Sequence, residues 1–503
     1  MRAAAIFTDC MVLQREKPIT VWGDGKDGRR VTVTLAGYSA SDTVRNGAWR
    51  VTLPPMPAAS GLTMTIRSGA VVRTFRDIAV GEVWLCGGQS NMEFEIRNEK
   101  NGKALLESLR PECGVRFYAV PKQRSFDGDF DRNERKSCWA AASAENAAAW
   151  SAVGLYYALE LAQCLGVTVG LIGCNWGGTS ASAWVSRDVL EQDPLLLPYL
   201  DDYAKATAGK TEAELNAAFD DYAAKQEAYW TKRIQLSEAH PEMTEAEKEA
   251  VLGPDYYPGP MGPKNEQRPC GLYETMLQRV CPYTLRGFLF YQGESDCFRA
   301  SAYAHLLTGL ITCWRRDWND PALPFLNVQL PGYRDPDFPE SEGWAELRQA
   351  QYAVFRNLRN TGLAVILDCG DPDDIHPADK APVGHRLALQ ALHTVYHKLP
   401  ACRANAPAYR AGYVSGKSVT VLIGGADEGF VLTGEPEGFA LAGADGIFHP
   451  ARAQFGRGQI TLSADGVAAP VTVSYAWENN PSAHVFGTNG LPLAPFKNKI
   501  AAR

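Results

Sequence analysis

Hydrophobic and polar positions alternate in short runs over residues 1 to 78: Val31-Thr32-Val33-Thr34-Leu35, Trp49-Arg50-Val51-Thr52-Leu53 and Leu62-Thr63-Met64-Thr65-Ile66. A period of two puts alternate side chains on one face of a strand. Glycine- and proline-rich turns separate the runs, so residues 1–78 read as a small β-sandwich-like domain. From 79 to 398 the pattern changes. Apolar runs at 80–85, 167–172, 287–291, 324–330 and 364–367 alternate with helical stretches, of which 147–165 is one. Strands apolar on both faces and separated by helices predict an α/β domain with a mostly parallel sheet. Inside it, residues 187–268 are rich in Ala, Glu, Asp and Lys. They carry two Thr-x-x-Glu capping boxes, Thr211 to Glu214 and Thr244 to Glu247. This stretch reads as a helical excursion from the sheet that ends in the Pro/Gly-rich segment 253–263. Alternation returns at 418–423, 459–462 and 471–475, so residues 399–503 read as a second small β-sandwich-like domain.

Composition narrows the picture without redirecting it. The chain has 503 residues, 46% hydrophobic and 21% charged, enough for several domains and a large core. A net charge of -7 offers no basic footprint, so nucleic acid is not an expected partner. No apolar run approaches the length of a membrane span, and a membrane is not expected either. The first residues hold no apolar stretch of signal-peptide length. The expected location is therefore cytoplasmic, or secreted or periplasmic if a leader has been trimmed. The 12 cysteines form no CxxC pair or tight cluster, and read as reduced, packed thiols.

Four polar segments stand at the carboxyl ends of the expected strands, the edge where open α/β sheets build their ligand crevice. The first is Gly87-Gly88-Gln89-Ser90-Asn91. A serine after a glycine turn can be an exposed nucleophile or simply a helix cap. Met92 breaks the G-x-S-x-G pattern, which separates Ser90 from the α/β-hydrolase elbow. The second is Asn175-Trp176-Gly177-Gly178-Thr179, whose glycines let backbone N–H groups approach a ligand. The third is Tyr291-Gln292-Gly293-Glu294-Ser295-Asp296. Gln292 can offer an amide to an oxyanion there, and Glu294 can orient neighbours or hold sugar hydroxyls.

The fourth, Asp368 to Pro377, holds His376 with carboxylates two and three residues before it, as a general base and its orienting acid require. A calcium or magnesium loop is the rival reading of its four aspartates. The spacing is not that of an EF-hand, and histidine is a poor ligand for hard cations. Together the segments supply acyl transfer. Ser90 attacks, His376 moves the proton, and Asp373 or Asp374 fixes the imidazole. The Ser90 N–H, the Gly178 N–H and the Gln292 amide meet the oxyanion.

These motifs resemble the sialate O-acetylesterase family, within the SGNH (GDSL-like) hydrolases. The resemblance rests on Met11 to Pro18, Val21-Trp22-Gly23, Gly81 to Glu93, Trp176 to Thr179, Tyr291 to Ser295, Asp374-Ile375-His376-Pro377, Val383 to Ala388 and the ending Tyr475 to Phe496. Only 187–268 lies outside it. It implies an SGNH-hydrolase-like three-layer α/β/α core with a parallel sheet, flanked by the two small β domains. It also implies a serine esterase without metal or cofactor, acting on O-acetylated sialic acid or another acetylated glycan. Ser90 and His376 are the implied reacting pair. The SGNH spacing selects Asp373 as the acid, whereas the family's DIHP text points to Asp374. Gln89, Asn91, Trp176, Glu294 and Arg348 are the candidate substrate contacts, with Arg97 a further arginine for a substrate carboxylate. Glu274 stands where relatives often carry Asn, so contacts there are expected to differ. Two alternatives stay open: an acetylesterase of xylan or another plant polysaccharide, and a non-catalytic carbohydrate-binding protein.

Overall fold

The computed structural model describes residues 1–336 and 341–500. Its centre is a sheet of parallel strands: β1 (Val71–Gly88), β2 (Val115–Ala119), β3 (Val169–Asn175), β4 (Gly287–Tyr291), β5 (Phe325–Gln329) and β6 (Thr361–Val365). They lie in the order β2-β3-β1-β4-β5-β6, and the short strand Ala140–Ala141 pairs antiparallel at the β2 edge. The strand order reverses around β1, so a crevice opens at its carboxyl end.

Two helix pairs cover the sheet. Gly87 and Cys86 show how. A Cβ on Gly87 would lie 2.7 Å from the Trp314 ring of helix Ala300–Asp317. Cys86 Sγ instead meets Gly154 of helix Ala152–Leu165. Neighbouring strand residues point to opposite faces, so these helices form separate layers. Helix Gly343–Asn357 joins the first and Ala381–Thr394 the second, which completes an α/β/α core.

The change of pattern near residue 78 falls inside one strand rather than in a linker. Residues 71–76 of β1 are mostly exposed, whereas 78–88 are all buried. Asp77, at φ 53°, turns the strand between the two regimes. The strand pairs antiparallel with Ala59–Ser68 as far as Val80, and from Glu82 onward parallel with β3 and β4. The N-terminal strands and the α/β core share one hydrophobic cluster. The C-terminal region has its own, built on two four-stranded sheets and packed against Leu363, Val365 and Leu367. Between β3 and β4 the excursion is helical, with Glu212–Ala239 its longest member, and both capping boxes form. Among the described residues, no helix is long and apolar enough to cross a membrane.

Candidate active site

The end of β1 is fixed by close backbone packing. A Cβ on Gly88, at φ 132°, would lie 2.0 Å from the Tyr291 carbonyl, so only glycine fits. Gln89 N–H donates to the same carbonyl at 3.1 Å, and the single helical turn Ser90–Glu93 begins at once. Ser90 therefore stands at the mouth of the crevice. His376 comes to it from the loop after β6, with Nε2 2.8 Å from Ser90 Oγ. Gly177 presses on the other side of Ser90, where a Cβ would sit 3.3 Å from the serine Cβ. Glu93 Oε2 accepts the Gly177 N–H at 2.7 Å and holds that contact. Gly178 follows at φ 71° and lines the same cleft. The space in front of Ser90 and His376 is about 940 Å³.

Burial pushes the His376 pKa below its usual 6.5, and nearby Lys380 adds to this; Asp374 and Glu93 oppose it. The imidazole is thus held toward its neutral form, the form that accepts a proton.

The two candidate acids do something other than bind the ring. Asp373 is exposed and pairs with Arg334 at 3.0 Å, while its N–H is taken by Asp371 Oδ1. That turn points its carboxylate to solvent, away from His376, despite the three-residue spacing. Asp374 Oδ1 accepts the His376 backbone N–H at 2.8 Å. It positions the histidine through the main chain and acts on the ring only by charge. Among the described residues, no carboxylate is hydrogen-bonded to the imidazole.

Gln292 is also not where the oxyanion role needs it. Its Nε2 donates to Asp296 Oδ2 at 2.6 Å and Thr179 O at 3.3 Å, and its Oε1 accepts from Tyr303 at 2.8 Å. The cause is Asp296, a buried carboxylate that collects donors. Ser180 Oγ lies at 2.6 Å, Tyr199 Oη at 2.8 Å and the Ala181 N–H at 2.9 Å. Burial pushes the Asp296 pKa up, while these donors favour its charged form. Asp296 thus clamps the glycine loop, the loop after β4 and the excursion together.

The remaining candidates divide between wall and scaffold. Gln89 lines the cleft, but its Oε1 accepts the Ser295 N–H at 3.2 Å and ties two loops. Asn91 faces inward: Nδ2 donates to Glu294 Oε1 at 2.6 Å and to Ile375 O at 2.9 Å, and Oδ1 accepts from Lys380 Nζ at 2.5 Å. Glu294 lines the cleft with a buried Oε2 that has no hydrogen-bond partner, and burial raises its pKa. Trp176 lies outside the wall beneath Arg124, whose guanidinium is 4.8 Å from the ring centroid.

Arg348 is fully buried and donates to the carbonyls of Pro331, Glu478 and Asn479. It fastens the C-terminal region to the core and cannot meet a substrate. Arg97 pairs with Glu95, and Glu274 with Arg268, both away from the cleft.

Sequence reasoning gave no role to Lys380, Asp296 or Arg299. Lys380 follows the histidine block by four residues; burial pulls its pKa down to about 8. Asp296 carries a signal only in hindsight, as an acid in the loop that follows the buried strand β4. Arg299 lines the cleft together with Tyr199, Tyr203 and Tyr257 of the excursion.

Comparison with known proteins reaches the same chemistry. Residues 264–393 match the family described as carbohydrate esterase, sialic acid-specific acetylesterase. The sialate O-acetylesterase of Mus musculus is 27% identical over 431 residues, covering 78% of this chain and 73% of that protein. The Homo sapiens protein of the same name is 25% identical, covering 78% and 71%. A solved carbohydrate acetylesterase from Xanthomonas citri superposes with a TM-score of 0.78 at 28% identity, covering 99% of both chains. The chain is a carboxylic ester hydrolase. Its resemblance to the sialate O-acetylesterase family extends through the fold as well as the motifs.

Proposed function

We propose that this esterase removes O-acetyl groups from sialic acid through an acetyl-enzyme on Ser90. The observation that carries the reading is the 2.8 Å contact between Ser90 Oγ and His376 Nε2, both of which line the cleft. Ser90 Oγ attacks the acetyl carbonyl while His376 takes its proton. The Ser90 and Gly178 N–H groups meet the oxyanion, and Gln292 does not, because its amide is already committed. Collapse expels the sugar oxygen, which receives the proton from His376. Water, deprotonated by His376, then attacks the acetyl-serine. Acetate leaves and Ser90 regains its proton.

The relatives' names supply the sugar in this reading. The test is acetate release from O-acetylated sialic acid against acetylated xylo-oligosaccharide. The expected result is a kcat/KM at least about tenfold higher on the sialic acid, a difference of about 1.4 kcal/mol in transition-state binding. The reverse preference would move the enzyme to a neutral polysaccharide. One observation favours that second reading: the cleft wall holds Asp202, Glu294 and Asp335 against one arginine.

The pH profile follows from His376. Its neutral form is the base and its pKa is lowered on folding, so kcat/KM should rise with pH through an inflection below 6.5. An inflection at or above 6.5 in a pH–rate series contradicts this assignment of the base.

A further inference from the structure

Arg299 is the sole lysine or arginine among the described residues that line the cleft. Its guanidinium lies 4.9 Å from the Tyr199 ring centroid and 5.4 Å from that of Phe298, within cation–π range of both. Nη2 pairs with Asp202, a residue of the excursion that also lines the cleft. Nη1 is buried without a hydrogen-bond partner. The guanidinium therefore has only part of its fork in use, and its present acceptor is a carboxylate. That acceptor is weakly held: the Asp202 side chain is 55% exposed, and such pairs contribute little in water. Lys205 Nζ stands 3.7 Å from the other Asp202 oxygen, ready to keep the displaced carboxylate.

We propose that Arg299 is the anion-recognition residue of the cleft, taking the carboxylate of an acidic acetylated sugar in the place now held by Asp202. The inference rests on the sialic acid reading and extends it to a residue. A planar guanidinium beside aromatic rings suits a carboxylate better than a lysine would, because two parallel N–H groups can be offered at once. It also answers the charge problem of the wall. An anionic sugar entering past Asp335 and Glu294 needs a cation, and Arg299 is the one the wall provides. Asp202 then acts as an internal competitor. It screens neutral sugars from an exposed charge and yields to a ligand that offers a better-oriented carboxylate.

A matched pair of substrates isolates the carboxylate: O-acetylated N-acetylneuraminic acid and its C1 methyl ester, with acetate release measured for both. Wild type should prefer the free acid by at least about tenfold in kcat/KM, the scale of one charge-assisted hydrogen bond. Arg299→Gln should erase that preference, mainly through KM. Arg299→Lys should restore part of it, and Asp202→Asn should lower KM for the free acid. Thermal midpoints confirm that the variants are folded. Equal use of the two substrates by wild type, or an equal loss on both in Arg299→Gln, overturns the assignment of Arg299 and leaves the sialic acid reading standing. Wild type that releases acetate from acetylated xylo-oligosaccharide and from neither sialic acid substrate overturns that reading and the inference with it.

Discussion

Ser90→Ala should lose acetate release by at least about 10³-fold while keeping its fold. The fold survives because alanine retains the Cβ that Gly177 packs against, and the Gln89 N–H to Tyr291 carbonyl bond at the end of β1 does not involve the side chain lost. The structural loss is one hydrogen bond, to His376, worth about 1 kcal/mol. The catalytic loss is the nucleophile itself. Two nearby hydroxyls are already committed: Ser180 Oγ to Asp296, and Ser151 Oγ to the Met92 carbonyl. Acetate release and the thermal midpoint, measured together, separate the two effects. A fluorophosphonate should label wild type at Ser90 and fail to label the variant. Turnover within tenfold of wild type in a folded Ser90→Ala protein would sink the nucleophile assignment, and absent labelling of wild type would favour a binding protein.

The convergence of loops was legible because it depends on topology alone. Buried apolar strands separated by helices imply a parallel sheet, and a parallel sheet brings all strand ends to one edge. Ser90, Gly178, Glu294 and His376 meet there for that reason. The direction of each side chain was not legible, because it depends on competition for hydrogen bonds. Gln292 turns inward because Asp296 is buried and needs donors. Asp373 turns outward because Asp371 caps its N–H and Arg334 meets its carboxylate. A spacing rule sees neither neighbour.

The arginine was missed for a related reason. Arg348 was a candidate contact for the substrate carboxylate, yet it is buried and donates to three backbone carbonyls. Burial pulls its pKa down to about 9. The excursion lay outside the motifs that carry the resemblance, and its helix Glu212–Ala239 buries only Leu215, Phe219 and Tyr229. No amphipathic pattern announced that its tyrosines and Asp202 would complete the cleft. The N-terminal boundary was hidden too: the change in texture at residue 78 marks a change of environment along one strand, at Asp77.

That strand carries the residue whose loss should cost the most stability. Glu82 in β1 has a fully buried side chain. Arg15 Nε reaches Oε1 at 2.5 Å, and Arg286 holds both oxygens, at 3.0 and 2.7 Å. Gln14 Nε2 at 3.2 Å and Tyr396 Oη at 2.9 Å complete the set. One carboxylate thus joins the N-terminal segment, the approach to β4 and the end of the last core helix. Glu82→Ala leaves Arg15 and Arg286 with only the exposed Glu16 as a counter-ion, a loss of on the order of 3–5 kcal/mol. The exposed Glu16, which pairs with Arg286 at 3.3 Å, is the control, and its alanine variant should cost less than about 1 kcal/mol.

The pH dependence adds a second, independent mark. Burial alone would raise the Glu82 pKa, but Arg286, Arg15 and Gln14 outweigh it and the net shift is downward from 4.5. A carboxylate whose pKa falls on folding stabilises the protein fully above its unfolded value, and loses that contribution as pH drops through the folded one. The gap in stability between wild type and Glu82→Ala should therefore be full near pH 7 and narrow on acidification below about 4.5. Denaturant midpoints at neutral and acid pH measure it. A gap below about 1 kcal/mol at pH 7, or one that does not narrow in acid, would mean that the buried cluster is not what holds these segments together.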